Sequence, residues 1–255
     1  MKNKNIVITG ASQGLGYDLA KNFSKNGAKL FLISSDERKL IKIKNNCYAK
    51  SRHMIFPHDL SNPSMVSIVA SKIKSFFNGK IDAIIHVAGG GLGMKEIDLN
   101  HSDLLKVLNL NILSSIELNR QIFPLMKKRK KGSIVHIGSI ASGEAVGSLS
   151  YNIAKSILHT YVRTMGNELA KKNIIVSGLA LGGFIAKDNA MERFKNKNLQ
   201  EYKKFIKLRL PRAVMGKTSE IIPMIQFLCS DNAGMMSGCM VPMDGGEGKY
   251  YTTYQ

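Results

Sequence analysis

Acidic residues are scarce in this 255-residue chain: 18 Asp and Glu stand against 37 Lys and Arg, for a formal net charge of +19. Cysteine is scarce too. Cys47, Cys229 and Cys239 form no metal-ligand spacing and no even-numbered disulfide set, so no metal site is expected, and a reducing, cytoplasmic setting fits. No apolar run approaches the roughly 18 residues of a spanning helix. Residues 1–5 lead directly into Ile6-Val7-Ile8 with no apolar leader, so neither export nor a membrane partner is expected. Only 6 prolines and 23 glycines accompany 44% hydrophobic residues, which excludes disordered and collagen-like classes. No linker, repeat or composition break divides the chain, so one domain over 1–255 is expected.

The charge excess bears on partners. A nucleic-acid binder gathers its basic residues on one face. Here they spread along the sequence, and lysine outnumbers arginine, which leaves little bidentate reading of phosphate or base. The densest cluster, Lys127-Lys128-Arg129-Lys130-Lys131, lies just before Gly132 at an expected helix end, where cations complement the macrodipole. No nucleic-acid partner is expected. Two readings stay open: solvated lysines, or attraction of an anionic substrate or acidic partner.

What is present is alternation. Short apolar runs at 5–9, 29–34, 53–56, 81–87, 133–137, 174–179 and 239–243 read as strands. Between them, 14–26, 36–46, 63–77, 102–126, 150–172 and 220–228 read as helices, with Pro124 bending or ending the fourth. The stretch 150–172 is strongly periodic, with Ala154, Ile157, Leu158, Tyr161, Val162, Met165 and Leu169 at three- and four-residue steps. An irregular or helical insert covers 184–212. This pattern predicts an α/β, doubly wound, Rossmann-like parallel sheet of about seven strands with helices on both faces.

The first strand runs into Thr9-Gly10-Ala11-Ser12-Gln13-Gly14-Leu15-Gly16. Glycines there permit a tight turn and close approach, and the next helix aims its free N–H groups at a pyrophosphate. The GxxxGxG spacing differs from the usual GxGxxG fingerprint. Further on, Tyr151 and Lys155 share one helix face, and Ser139 follows the fifth strand at the edge where open α/β sheets bind ligands. An ammonium beside a phenol lowers its pKa from about 10 toward working pH. A serine hydroxyl then holds a carbonyl or alkoxide oxygen.

Together with Asp59-Leu60, Ala88-Gly89, Asn111, Pro124, Met126 and Asp244-Gly245-Gly246, these motifs resemble the short-chain dehydrogenase/reductase family over essentially the whole chain. The resemblance implies an NAD(P)-dependent oxidoreductase that interconverts a ketone and a secondary alcohol. It makes Tyr151 the general acid/base and assigns to Lys155 both the lowering of its pKa and a bond to the nicotinamide ribose. Ser139 orients the substrate oxygen, and Asn111 holds a water in a proton relay behind Lys155. Asp59 contacts adenine; Leu60, Ala88 and Gly89 line the cofactor, as do Gly182 and Ile185 beside the nicotinamide. It also implies a homodimer or homotetramer built on the helices 102–126 and 150–172.

Three departures from the family pattern stand out. His86-Val87-Ala88-Gly89 replaces Asn-Asn-Ala-Gly, so His86 either takes over the missing hydrogen bonds or touches substrate. Leu181-Gly182-Gly183 replaces Pro-Gly and implies a looser turn. Ala186 stands where a carboxamide-binding threonine is usual. Ser34 replaces the Asp of NAD enzymes; Ser35 and Gln13 stand where NADP enzymes carry basic residues. No acid at position 34 repels a 2′-phosphate, and Arg38 is near, while Asp36 argues the other way. NADP(H) is favoured and NAD(H) stays possible.

The resemblance makes 184–212 a substrate lid. It is basic, and Arg209 and Arg212 near its base are its candidates for direct contact with an anion such as a 3-oxoacyl thioester or an acidic or phosphorylated sugar. The rival reading is a non-catalytic NAD(P)-binding regulatory protein on the same fold.

Overall fold

The structure, a computed structural model, describes residues 1–249. Apolar residues alternate along each short strand, so each strand offers one set of side chains to either face. In β1 (Asn5–Thr9), Ile6 and Ile8 enter one core and Val7 the other. The chain continues through α1 (Gly14–Lys25), β2 (Lys29–Ser34), α2 (Glu37–Asn46), β3 (Met54–Pro57), α3 (Val66–Phe76), β4 (Ala83–His86), α4 (His101–Leu108) and α5 (Ser114–Arg129). Then follow β5 (Gly132–Ser139), α6 (Leu149–Ala170), β6 (Ile174–Leu181), β7 (Phe184–Ile185), α7 (Ala190–Lys197), α8 (Leu199–Arg209), β8 (Gly216–Lys217), α9 (Thr218–Leu228) and β9 (Met240–Met243).

Seven strands form one parallel sheet in the order β3-β2-β1-β4-β5-β6-β9. Helices cover both faces. Leu19 and Phe23 of α1, Leu40 of α2 and Ile225 of α9 pack on one face; Val69 of α3, Ile122 of α5 and Leu158 and Val162 of α6 pack on the other. Each such side chain, fully withdrawn from water, contributes about 1.5–3 kcal/mol. The chain winds outward from β1 in one direction and from β4 in the other. This places a crevice at the carboxyl ends of β1 and β4, where such sheets bind ligands. Among the described residues no helix is long and apolar enough to cross a membrane.

Two expectations need correction. The helix expected over 102–126 is α4 and α5 joined by a π-helical turn, Asn109–Leu113, and it runs past Pro124 to Arg129. Pro124 does not end it because Phe123 and Met126, buried on either side, hold that turn against the sheet. The fifth strand is longer than expected and reaches Ser139, which makes that residue the strand's last. Of the two forms open for 184–212, the helical one is seen: it carries α7 and α8, its β7 pairs with β8 just beyond it, and a small cluster of Tyr202, Leu210 and Met215 packs there.

Candidate active site

The glycine turn is built by close crossing. Thr9 Oγ1 accepts from the N–H groups of Val87 at 3.1 Å and Ala88 at 3.2 Å, tying the end of β1 to the end of β4. Gly10 has φ +66°, and a Cβ on it would lie 2.7 Å from Ala88 N. A Cβ on Gly16 would lie 2.2 Å from Gly10 O, so the first turn of α1 tolerates only hydrogen there. Gln13, at the N-cap of α1, makes no capping bond; its Oε1 accepts from Lys39 Nζ at 3.2 Å. By helix geometry the leading amides of α1 face outward. One of them is already engaged: Gly14 N–H donates to Lys187 O at 2.8 Å, which brings the stretch after β7 down onto the turn.

Beside the turn, the Ser12 and Ser34 hydroxyls lie 2.6 Å apart. A cavity of about 80 Å³ opens there, lined by Ser12, Gln13, Lys39, Lys42, Lys187 and Asp188, whose Oδ2 lies 3.9 Å from Lys39 Nζ. Sequence reasoning missed Lys39 and Lys42, although their three-residue spacing on α2 places them on one face. Asp36, which argued for NAD, is the N-cap of α2 and accepts from Lys39 N–H at 2.9 Å. Ser35 is exposed. Asp59 follows β3 and accepts from Ser61 N–H, while Leu60 is buried behind it. The neighbouring His58 is buried with no partner for its Nε2.

At the other end of the crevice, Ser139 closes β5. Its Oγ accepts from Ala141 N–H at 3.2 Å, and its hydroxyl hydrogen-bonds Tyr151. Tyr151 lies in the first turn of α6 and Lys155 one turn later. Lys155 Nζ donates to Ile137 O at 2.9 Å and sits 5.4 Å from the Tyr151 ring centroid. Burial pushes its pKa down to about 8, which still leaves the ammonium charged at neutral pH. The Tyr151 phenol is raised above its ordinary value by burial, with the Ser139 bond opposing the rise. This direction is the reverse of the one expected from Lys155. Burial sets the direction, and the ammonium is tied to the Ile137 carbonyl beside the ring.

Asn111 sits within the π-turn and is buried. Its Nδ2 donates to Val107 O at 2.8 Å and to Gly90 O at 2.9 Å; its Oδ1 accepts from Gly90 N–H at 3.0 Å. A Cβ on Gly89 would meet Asn111 Oδ1 at 2.8 Å and Lys155 Nζ at 3.2 Å, so all three converge. Ala88 lies against the turn at Gly10. His86 resolves between its two readings: it is buried, its Nε2 pairs with Asn119 Oδ1 at 2.8 Å, and its ring stacks on His136 at 4.6 Å. Burial lowers its pKa to about 4, so it is a neutral structural group. Gly182 N–H donates to Met243 O at 3.2 Å, Ile185 belongs to β7, and Ala186 is buried.

The glycine cradle and the cavity beside Ser12, with three lysines to one acid, fit a dinucleotide carrying phosphates. Among the described residues no group of three His, Cys, Asp or Glu side chains is placed to hold a metal ion.

Residues 4–198 match the family model described as short chain dehydrogenase. The chain belongs to the short-chain dehydrogenase family. Membership makes it an oxidoreductase. The chain is 30% identical over 244 residues to the 3-oxoacyl-[acyl-carrier-protein] reductase FabG of Buchnera aphidicola, with 95% of this chain and 96% of that protein covered. It is 27% identical to the 7alpha-hydroxysteroid dehydrogenase of Escherichia coli K12, covering 96% and 94%. In fold it matches the crystal structure of a 3-oxoacyl (acyl-carrier-protein) reductase from Agrobacterium tumefaciens with NADP bound. The TM-score is 0.86 and the identity 20%, over 96% of this chain and 94% of that one.

Proposed function

We propose that this short-chain dehydrogenase interconverts a ketone and a secondary alcohol with NADP(H), and that its substrate is a 3-oxoacyl thioester. The observation that carries the reaction is the convergence of Ser139, Tyr151, Lys155 and Asn111 at the edge of the sheet, one crevice away from the glycine cradle. A bound nicotinamide supplies or takes up hydride; the side chains handle the proton. The Tyr151 hydroxyl gives its proton to the substrate oxygen as negative charge develops there. Its raised pKa keeps that proton in place at neutral pH, which suits the direction of carbonyl reduction. Ser139 donates a second hydrogen bond to the same oxygen. The buried Lys155 ammonium, one helical turn along, carries the charge opposite to the tyrosinate left behind. Asn111 holds the Gly90 backbone and the carbonyl at Val107, which keeps its Oδ1 in place beside Gly89 and Lys155 Nζ.

NADP(H) is favoured over NAD(H) by the cavity beside Ser12 and Ser34, where Lys39 and Lys42 complement a 2′-phosphate, and by the engagement of Asp36 as a helix cap. Asp59 and Leu60 flank the adenine; Gly182 and Ile185 border the nicotinamide. The 184–212 stretch acts as the substrate lid of a single domain spanning 1–255. Its two basal arginines each have an acidic partner, Arg209 facing Glu247 at 3.5 Å and Arg212 pairing with Glu220 at 2.7 Å, so either would exchange that partner to meet an anionic substrate. The exposed Lys195, Lys197, Lys203, Lys204 and Lys207 remain to attract an anionic substrate from a distance. Leu105 and Leu113 near the π-turn and Leu149 and Ile157 on α6 are exposed, as befits helices paired in a homodimer or homotetramer.

The test is NADPH oxidation with acetoacetyl-CoA, against the same assay with NADH and with a neutral ketone. Turnover with NADPH and the thioester supports the reading. Cofactor binding without turnover on any carbonyl in a broad panel would mark a regulatory protein instead.

A further inference from the structure

Gly182-Gly183, standing where the family pattern has Pro-Gly, implies a loose turn after β6. The structure shows it held. Gly183 N–H donates to Oε2 of Glu247 at 2.6 Å. Glu247 is only 8% exposed, and a carboxylate so withdrawn from water is costly unless it is partnered. Its other oxygen, Oε1, lies 3.5 Å from Nη2 of Arg209, the last residue of α8. One carboxylate thus joins the stretch after β9, the turn after β6 and the end of the lid. The glycine fits this arrangement: a Cβ at Gly182 would come within 2.8 Å of Glu247 Oε2 and 2.7 Å of Asp244 Cβ.

The same stretch, 244–249, grips the site on its other flank. Lys249 N–H donates to Glu144 Oε1, on the loop that follows Ser139. Gly245 and Gly246 back onto Arg212 and Pro211 at the base of the lid. The two halves of the Glu247 link differ in exposure. The Gly183 bond is inside. The Arg209 side chain is 41% exposed, so that half is screened by salt and released at little cost.

We propose that Glu247 is a positioning residue: it fixes the Gly182–Gly183 turn through Oε2 and tethers the lid reversibly through Arg209, so that 244–249 works as a clasp around the substrate side of the site. This rests on the reading of 184–212 as a lid beside the nicotinamide. Arg209 then serves lid closure rather than substrate recognition.

Hydrogen–deuterium exchange on the full chain without cofactor tests it, comparing wild type, E247Q, E247A, R209Q and the E247Q/R209Q double variant. Gln keeps an acceptor for Gly183 N–H but loses the charge that faces Arg209. E247Q and R209Q should each speed exchange over α7 and α8 by about threefold to tenfold and leave the turn at 182–183 protected. The double variant should be no looser than either single one, since both remove the same pair. High salt should loosen the wild-type lid in the same way. E247A should loosen the turn as well; if it does not fold, E247Q and R209Q decide alone. Additive effects in the double variant, or lid exchange at the wild-type rate in both single variants, would overturn the proposal. The readout needs neither substrate nor cofactor, so its failure is distinct from failure of the oxidoreductase reading, which variants of Tyr151 decide.

Discussion

The proposed catalytic edge and the 184–212 stretch proposed as the lid lie near the carboxyl ends of the strands, but they are made differently. Tyr151 and Lys155 come from one helix, Ser139 from the strand before it, and their juxtaposition follows from helical spacing and a strand end. The 184–212 stretch and the Gly182–Gly183 turn before it are held by partners from distant parts of the chain. Gly183 meets Glu247 across 64 positions, and Gly14 meets Lys187 across the crevice. Acids take the lid's two basal arginines, whereas no acid lies in the Ser139–Tyr151–Lys155 set. The difference teaches that charge counted along a sequence says little about which charge is available to a ligand.

The largest expected effect lies on the catalytic edge. Tyr151→Phe removes one oxygen and should lower kcat by about 10²-fold or more, while NADPH affinity by fluorescence titration stays within about twofold. Wild-type turnover would break the comparison at its firm end. Gly16→Ala should come next, since its methyl would lie 2.2 Å from Gly10 O. NADPH affinity should fall by about tenfold or more and the melting temperature should drop.

The pH profile sharpens the role of Lys155. Its pKa is lowered to about 8, so its charge is present below that value and lost as pH rises through it. The rate of carbonyl reduction should therefore fall above about pH 8, approaching tenfold per unit. A flat profile to pH 9.5 would remove the ammonium from the mechanism. Lys39→Glu should weaken NADPH binding by about tenfold and leave NADH binding nearly unchanged, in a titration of both cofactors at low salt. Equal loss for both would place the 2′-phosphate elsewhere. The smallest effect is the control: a Cβ on Gly234 would have nothing within 4 Å, so Gly234→Ala should leave the melting temperature within about a degree or raise it.

How much was legible can be followed residue by residue. The alternation of apolar runs and periodic helices specified the doubly wound sheet, and Ser139 needed only a strand end to be placed. The π-turn at Asn109–Leu113 was not legible. Its stretch continues the helical pattern, and the turn is completed by Asn111 side-chain bonds to Val107 and to Gly90, a residue that spacing alone does not bring near. His86 could be read two ways until its burial against Asn119 and His136 was seen. Lys39 and Lys42 drew no notice in the sequence, and only the cavity beside Ser12 brings them together.

The sequence by itself determined the chain order of the seven sheet strands, the glycine turn and the shared face of Tyr151 and Lys155. Each depends on backbone sterics or helical period, which act over a few residues. Tertiary structure alone decided the electrostatics. It set the raised phenol of Tyr151, the lowered ammonium of Lys155, the neutral His86 and the pairing of Arg209 with Glu247. Burial and long-range partners fix these quantities, because the charged form of a group is stabilised or penalised by whatever surrounds it in space.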